Sequence, residues 1–551
     1  MPTELDRRFD EVLAQVTGPG GRLVIDKDAE GRAIVGNLPP TVPGLFRAFC
    51  EINGEKEAVV AGDQRLTFAE LDRLSERVAH GFVARGVQKG DRVGIAMRNC
   101  PAWIVSYMGI LKAGGVATLL NGWWEAHEME HAVQLTDPKL IVADGPRAKR
   151  LAAKCVGRDI LSLPIELPIE QAMAELLDGG DGPLPEISPD DDATILFTSG
   201  STGDSKGALS THRGVTTATY AYATGLIVLL GILASEGRAP TAQPRTLLSV
   251  PLFHVTGEVP VMINSFVIGR CMVIMPKWDA TEALRLIEKE KITYFVGVPT
   301  MSLELMNHPD RGKYDLSSLT DITAGGAPRP VTHVERLRQE FPNAQPALGY
   351  GLTETNAAGC ANYWGNYAAK PASTGRAQKP YVELAILGAG DAHLPTSEVG
   401  EIGIRSASNI KSYFRNPEAT AALFTHDGYI RTGDVGYIDE EGYLFIVDRK
   451  KEIIIRGGEN ISAAEVEAEC YACPQVDEVA VFGVPDERLG EVPIAVVHSK
   501  NGLSESDLRN FLEGRIAKFK VPCRFIFSEE PLPRLGTGKI DRRSLKAQYA
   551  N

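Results

Sequence analysis

Short apolar runs, separated by glycine, proline and polar breaks, recur along the first 450 residues with spacings that alternate between strand and helix. Residues 91–97 (DRVGIAM) read as a strand and 102–113 as a helix stopped by Gly114-Gly115. Val116–Leu120 reads as a strand, 125–134 as a helix and Leu140–Val142 as a strand. The pattern returns as a helix over 281–291, with apolar Leu284 and Ile287, followed by a strand from Ile292 to Val298 that Pro299 closes. Such alternation predicts βαβ units on a parallel sheet, hence an α/β fold. Residues 179–192, rich in Gly, Pro and Asp, read as a surface connection leading into a short strand, Ala193–Phe197.

Residues 429–438 and 443–448 predict a hairpin around Asp439-Glu440-Glu441-Gly442. The polar run Asp448-Arg449-Lys450-Lys451-Glu452 then marks a boundary between a large domain, 1–448, and a small α+β domain, 449–551. The most apolar run, Gly225–Ala234, falls short of the ~20 residues of a membrane span. It reads as a buried helix or as lining for an apolar ligand, so no membrane span is expected.

Composition narrows the class. With 551 residues, 44% hydrophobic and 23% charged, the chain is globular rather than disordered. Its 58 basic and 71 acidic side chains leave a net charge of −13, which argues against binding nucleic acid. Eight sparse cysteines suggest reduced thiols and a cytoplasmic protein, and the mixed polar start, Met1–Asp10, has no secretory pattern. Cys470 and Cys473 form a lone CxxC, read as one turn of a helix rather than a zinc site.

Four stretches carry chemistry. Residues 198–207, Thr198-Ser199-Gly200-Ser201-Thr202-Gly203-Asp204-Ser205-Lys206-Gly207, follow a strand. Their glycines, hydroxyls and lysine supply donors for a phosphate, although the spacing is not that of a Walker loop. Residues 349–355, Gly349-Tyr350-Gly351-Leu352-Thr353-Glu354-Thr355, set a carboxylate among small residues, a setting in which Mg²⁺ is held with phosphate oxygens and water. Arg431-Thr432-Gly433-Asp434 precedes Arg449 by fifteen residues. An Asp can accept from ribose hydroxyls and an Arg can pair with phosphate. Lys539, on the glycine-flanked loop 534–539, is a cation that can be brought to a charged reaction centre.

In this order the four stretches, with 448–452, resemble the adenylate-forming superfamily of acyl-CoA synthetases, aryl-CoA ligases, firefly luciferase and peptide-synthetase adenylation domains. The resemblance runs from Leu66-Thr67-Phe68-Ala69-Glu70-Leu71 to Lys539. It implies a large N-terminal domain of parallel-rich sheets flanked by helices, with a distorted β-barrel, and a small mobile C-terminal domain. It further implies a two-step reaction, in which a carboxylate attacks the α-phosphate of ATP and a thiol then displaces AMP. By resemblance, 198–207 grips pyrophosphate, Thr198 and Glu354 lie at Mg²⁺, and Gly326-Ala327-Pro328 forms the adenine side. Thr353 touches the α-phosphate, Asp434 holds the ribose with help from Arg449, and Lys539 bridges the two anions. Lys451 is the hinge, and the loop of Gly457 and Gly458 lines the entrance for CoA.

The chain departs from the family at Ser205, where proline is usual, and at Ile455 and Gly457, where several plant aryl-CoA ligases carry lysine. His254 stands where amino-acid adenylation domains place an Asp, which argues against an amino acid and gives His254 a pocket or gating role. Thr256 stands where hydroxycinnamate ligases carry an aromatic residue. The chain ends twelve residues after Lys539, which favours free CoA over a fused carrier domain. The expected substrate is a hydrophobic, fatty or bulky, carboxylic acid, with an aromatic acid as the alternative. A separate carrier protein as acceptor and a homodimer stay open. A luciferase-like oxygenase and a non-catalytic nucleotide-binding homologue are the competing classes.

Overall fold

The computed structural model describes residues 2–198, 205–326, 329–450, 452–456, 459–499, 502–535 and 539–549. Among these, one seven-stranded sheet takes Arg92–Ala96, Val116–Leu119, Leu140–Asp144 and Ile160–Leu163 in parallel with β1 (Asp192–Thr198). It ends on the antiparallel strands β2 (Lys206–Thr211) and Ser412–Tyr413. The predicted βαβ alternation is therefore present, with each strand or helix boundary within a few residues of expectation. Helix Pro101–Lys112 is buried along its whole length, as an element apolar on every side must be.

Helix α1 (Glu4–Thr17) covers helix α2 (His212–Ser235) near the chain start. A second, thirteen-stranded sheet has a parallel half that includes Arg245–Leu248, Cys271–Ile274, β3 (Tyr294–Gly297), β4 (Asp321–Gly325) and β5 (Gln345–Gly351). From β6 (Gly359–Tyr363) onward the pairing is antiparallel, through Gly375–Ala377 and the predicted hairpin β7 (Ile430–Ile438) and β8 (Tyr443–Arg449). This antiparallel half occupies the place of the expected barrel.

The 24-residue α2 is longer than the ten-residue apolar run suggested. By length and composition it could cross a membrane, with a mean hydropathy of 1.7, and 56% of its most apolar window is buried in the protein. The part read as a candidate ligand lining, 226–233, packs under α1: Val12 meets Gly231, and the Arg8 guanidinium donates to the Ile232 carbonyl. Val228, Leu229 and Ile232 of that run are buried, whereas Leu230 is exposed. After α2 the chain reaches His254 and then a π-helix, Gly257–Ile263, that contains Pro260. Proline has no N–H to continue an α-helical ladder, and the widened turn frees carbonyls. The buried Arg270 guanidinium donates to two of them, Pro260 O and Val261 O, both at 3.2 Å, and to Ser265 Oγ at 2.9 Å.

The C-terminal domain forms its own five-stranded sheet, with helices Ala463–Tyr471 and Glu505–Leu512. Cys470 and Cys473 sit in its hydrophobic core with Val466, Val481 and Leu508. Burial pushes the Cys470 thiol up, which suits a packing residue. The domain is tied back to β8 by the Ser462 hydroxyl, which donates to Val447 O at 2.7 Å.

Helix α1 is fastened by one buried carboxylate. Asp6 is 2% exposed and closes a capping box with Thr3. Its Oδ1 accepts from the Tyr443 hydroxyl (2.8 Å), Asn366 Nδ2 (3.0 Å) and Arg376 Nη1 (3.2 Å). Removing it leaves the Tyr443 hydroxyl and the Asn366 amide without this acceptor, and leaves the half-buried Arg376 with Asp10 alone. Asp6→Ala should lower stability by about 2 kcal/mol, from the lost cap and the unpaired buried polar groups, read as a lower urea midpoint; an unchanged midpoint would show that α1 is not fastened here.

Candidate active site

The carboxyl ends of the parallel strands in the second sheet converge on one spot, which is where open α/β sheets bind ligands. Gly325 on β4 pairs with Gly349 on β5, and Gly326 follows one residue past the strand end. At Gly326 φ is +74°, and a Cβ there would lie 3.3 Å from Cε and 3.5 Å from Nζ of Lys539. A side chain would both strain this backbone and crowd the lysine, so glycine is required. Lys539 is brought in from the C-terminal domain: the Leu535 N–H donates to the Lys539 carbonyl at 2.8 Å, and Arg534 bridges to Ile540. Glu478 anchors the base of this loop by accepting from the Leu532 N–H at 2.6 Å and pairing with Arg534.

Burial drives the Lys539 ammonium down to about 8; the Arg449 charge adds to the fall and the Asp434 carboxylate opposes it. His254 faces the same space. Burial, with a smaller push from Lys539, holds its imidazole down at about 3, so the ring is neutral near pH 7.

Asp434 and Arg449 are directly opposed in the β7–β8 hairpin, and Arg449 Nε donates to Asp434 Oδ1 at 3.1 Å. The Tyr350 hydroxyl donates to Asp434 Oδ2 at 2.7 Å. The carboxylate, 4% exposed, is thus fixed from both sides. The hairpin position predicted for Asp434 and Arg449 is met, and Tyr350 of the 349–355 stretch joins them. Arg431 does not: its guanidinium pairs with Asp391 and donates to Ala422 O and Phe424 O, and serves the hairpin instead.

Thr353 and Glu354 form a single 3₁₀ turn at the end of β5. The Tyr413 hydroxyl donates to Glu354 Oε1 at 2.6 Å, and Lys206 Nζ lies 4.9 Å from the centre of the same tyrosine ring. Glu354 Oε2 has no hydrogen-bond donor among the described residues. Asn356 locks this turn to β2 by accepting from Ser210 Oγ (3.0 Å) and donating to Ser408 O (2.8 Å). Thr198 closes β1 in register with Lys206 at the start of β2. Ser199, Gly200, Ser201, Thr202 and Gly203 between them lie outside the described residues, as do Ala327, Pro328, Lys451, Gly457 and Gly458.

The geometry therefore gathers Thr198, Lys206, Glu354 and Tyr413 on one side. It gathers Gly326, His254, Lys539, Arg449, Asp434 and Tyr350 on the other. Tyr413 and Asn356 escaped the sequence reading. Neither stands in a motif, and their partners are 59 and 146 residues away.

Two family models match the chain, an AMP-binding enzyme over residues 46–414 and an AMP-binding enzyme C-terminal domain over 465–539. A long-chain-fatty-acid–CoA ligase of Bacillus subtilis (strain 168) is 33% identical, over 89% of this chain and 91% of its own. A 3-[(3aS,4S,7aS)-7a-methyl-1,5-dioxo-octahydro-1H-inden-4-yl]propanoyl:CoA ligase of Rhodococcus jostii (strain RHA1) is 32% identical, over 93% of this chain and 99% of its own. The solved structure of O-succinylbenzoate coenzyme A synthetase from Bacillus subtilis, in complex with ATP and magnesium ion, superposes with a TM-score of 0.77. That match has 27% identity and covers 91% of this chain and 99% of the other. These matches bear out the superfamily resemblance and the fold class.

The depressed Lys539 ammonium is directly measurable. In trace labelling with acetic anhydride, followed by mass spectrometry of the Lys539 peptide, acylation should rise with a midpoint near pH 8, well below the 10.5 of an ordinary lysine. Arg449→Ala should move that midpoint upward. A midpoint near 10.5 would remove Lys539 from the desolvated position beside Gly326.

Proposed function

The chain belongs to the AMP-binding enzyme family, and we propose that it is an ATP-dependent acid–thiol ligase for a bulky hydrophobic carboxylic acid, with CoA as the acceptor. The observation that carries this reading is Lys539, delivered by the small domain to Gly326 at the carboxyl ends of the parallel strands. Step one is attack of a substrate carboxylate oxygen on the α-phosphorus of ATP. The bond to the bridging oxygen breaks and pyrophosphate leaves. Two anions must approach, and an ammonium held between them offsets their repulsion at no cost in reorganisation. In step two the CoA thiolate attacks the acyl carbon, the acyl–phosphate C–O bond breaks and AMP leaves.

Asp434, fixed by Tyr350 and Arg449, suits a pair of ribose hydroxyls because both of its oxygens can accept further bonds. Lys206 and Thr198 bracket the hydroxyl-rich loop and suit the leaving pyrophosphate. Thr353 is assigned to the α-phosphate. Glu354, oriented by Tyr413 and with Oε2 unengaged, and Thr198 fit Mg²⁺, which takes few protein oxygens and completes its shell with phosphate and water. When bound, the ion would neutralise charge on the phosphates. Neutral His254 beside Lys539 suits contact with the acyl end and offers no charge to pair an amino acid's ammonium.

The second step needs a different face. With the domain boundary put at 448–449, residues 449–551 would turn about Lys451, withdraw Lys539 and present Gly457 and Gly458 to the pantetheine arm.

The test is a panel of straight-chain acids from acetate to palmitate with benzoate, a cinnamate and an amino acid, scored for pyrophosphate release with and without CoA. The thioester is identified by mass spectrometry. Each added methylene should raise kcat/KM about fourfold, from ~0.8 kcal/mol of burial, until the pocket ends. A preference for acetate or the amino acid would sink the hydrophobic-acid reading. Acid-dependent pyrophosphate release with no acyl-CoA would move the acceptor to a carrier protein or to oxygen.

A further inference from the structure

The floor that leads away from Lys539 runs down the strands of the second sheet. On β4 the side chains alternate strictly, with Ile322 and Ala324 buried and Asp321, Thr323 and Gly325 partly accessible. A central strand of a thirteen-stranded sheet has accessible side chains on one face only if space lies over that face. The glycines agree: a Cβ at Gly349 would meet nothing within 4 Å, and one at Gly325 only the Gly349 carbonyl at 3.7 Å. Gly325, Gly349 and Ala361 lie in one register row beside Lys539; Tyr294 pairs with Asp321 four residues farther down, roughly 13 Å at strand rise.

The far end of this space is polar. Tyr294 is in register with Asp321, and Val296 with Thr323, Ala347 and Tyr363, so Tyr294, Thr323 and Tyr363 share the accessible face. Tyr222 reaches it from α2, with its hydroxyl donating to Ala357 O at 2.5 Å, while a Cβ at Gly225, one turn on, would touch the Tyr363 hydroxyl at 2.8 Å. Burial raises all three phenols, and the Tyr222 and Tyr363 phenols are raised further by their phenol neighbours, as expected of hydroxyls that converge. The Arg270 guanidinium, 4% exposed, stands 4.6 Å over the Tyr294 ring. Beside Tyr294, the fully buried Thr246 hydroxyl has no partner among the described residues. The Tyr363 hydroxyl has no hydrogen-bond partner among the described residues either. An all-alkyl tail would leave the Tyr363 hydroxyl unpaired, at a cost that grows with burial.

We infer that the acid carries an uncharged oxygen function, a ketone or hydroxyl, at its far end, which Tyr363 with Thr323 and Tyr294 recognises at the bottom of the acyl channel. This rests on the ligase reading and names its substrate class: an apolar body for the channel, an oxygen for the tyrosines. Asp321 disfavours a distal carboxylate there. Its carboxyl accepts from Trp364 Nε1 (2.9 Å) and the Thr320 hydroxyl (2.8 Å), and burial raises it against these bonds and the Arg270 charge.

The experiment uses matched pairs on the full-length enzyme: straight-chain acids of six to twelve carbons bearing a methyl ketone at the far end, each beside the methyl-branched alkane acid of equal size. Acid-dependent pyrophosphate release gives kcat/KM for each member. The ketone should exceed its partner by about tenfold at one or two lengths, since a site built to hydrogen-bond an oxygen rejects the analogue lacking it. In Tyr363→Phe that ratio should collapse to about one while the alkane's kcat/KM holds within about threefold; Thr323→Val should act in the same direction. Alkane preference at every length, or a ratio untouched by both variants, overturns the inference and leaves the ligase reading standing. No pyrophosphate release with any acid overturns the ligase reading and the inference with it.

Discussion

An ammonium removed from water beside a glycine is the constraint on which the rest of the site depends. Desolvation is the main force on Lys539 and brings its ammonium down to about 8. The Asp434 carboxylate, pinned by Tyr350 and Arg449, counters that fall and keeps a cation available near neutral pH. The Cβ-free backbone at Gly326 makes room for it. The loop of Lys539 is held in turn by Glu478 in a domain with its own core, so the charge arrives on an element distinct from the one that binds the nucleotide. That separation would give the proposed domain rotation a chemical purpose: the same movement that removes the cation would open a path for the thiol.

Local pattern gave much of the fold directly. The βαβ units of the first sheet and the β7–β8 hairpin follow from period, glycine stops and turn chemistry, because each is decided by neighbours in sequence. The apolar stretch 226–233 resisted, since packing under α1 and lining a ligand demand the same side chains; only the position of Val12 against Gly231 separates the two. Likewise Arg431, within a motif, turned out to hold Asp391, while Tyr413 and Asn356, outside any motif, orient Glu354 and fasten its turn.

The acyl end was least legible. Tyr222, Tyr294, Thr323 and Tyr363 come from a helix and three strands, and no spacing rule joins them. What unites the last three is register: strand alternation places them on one face, opposite the side packed with Phe295, Ile322 and Leu337, and Tyr222 approaches them from α2. On the proposed reading, polarity at that depth moves the expected substrate from a plain alkyl chain toward an apolar body with an oxygen at its end, and leaves the proposed cation chemistry at the other end unaffected.

The central claim is that Lys539 serves the first half-reaction only. Its most direct measurement is Lys539→Ala assayed separately for adenylate formation and for thioester formation from supplied acyl-adenylate and CoA. Loss of a positioned electrostatic group should slow the first by roughly 10²–10³-fold and leave the second near the parent rate. An equal loss in both half-reactions would contradict the account.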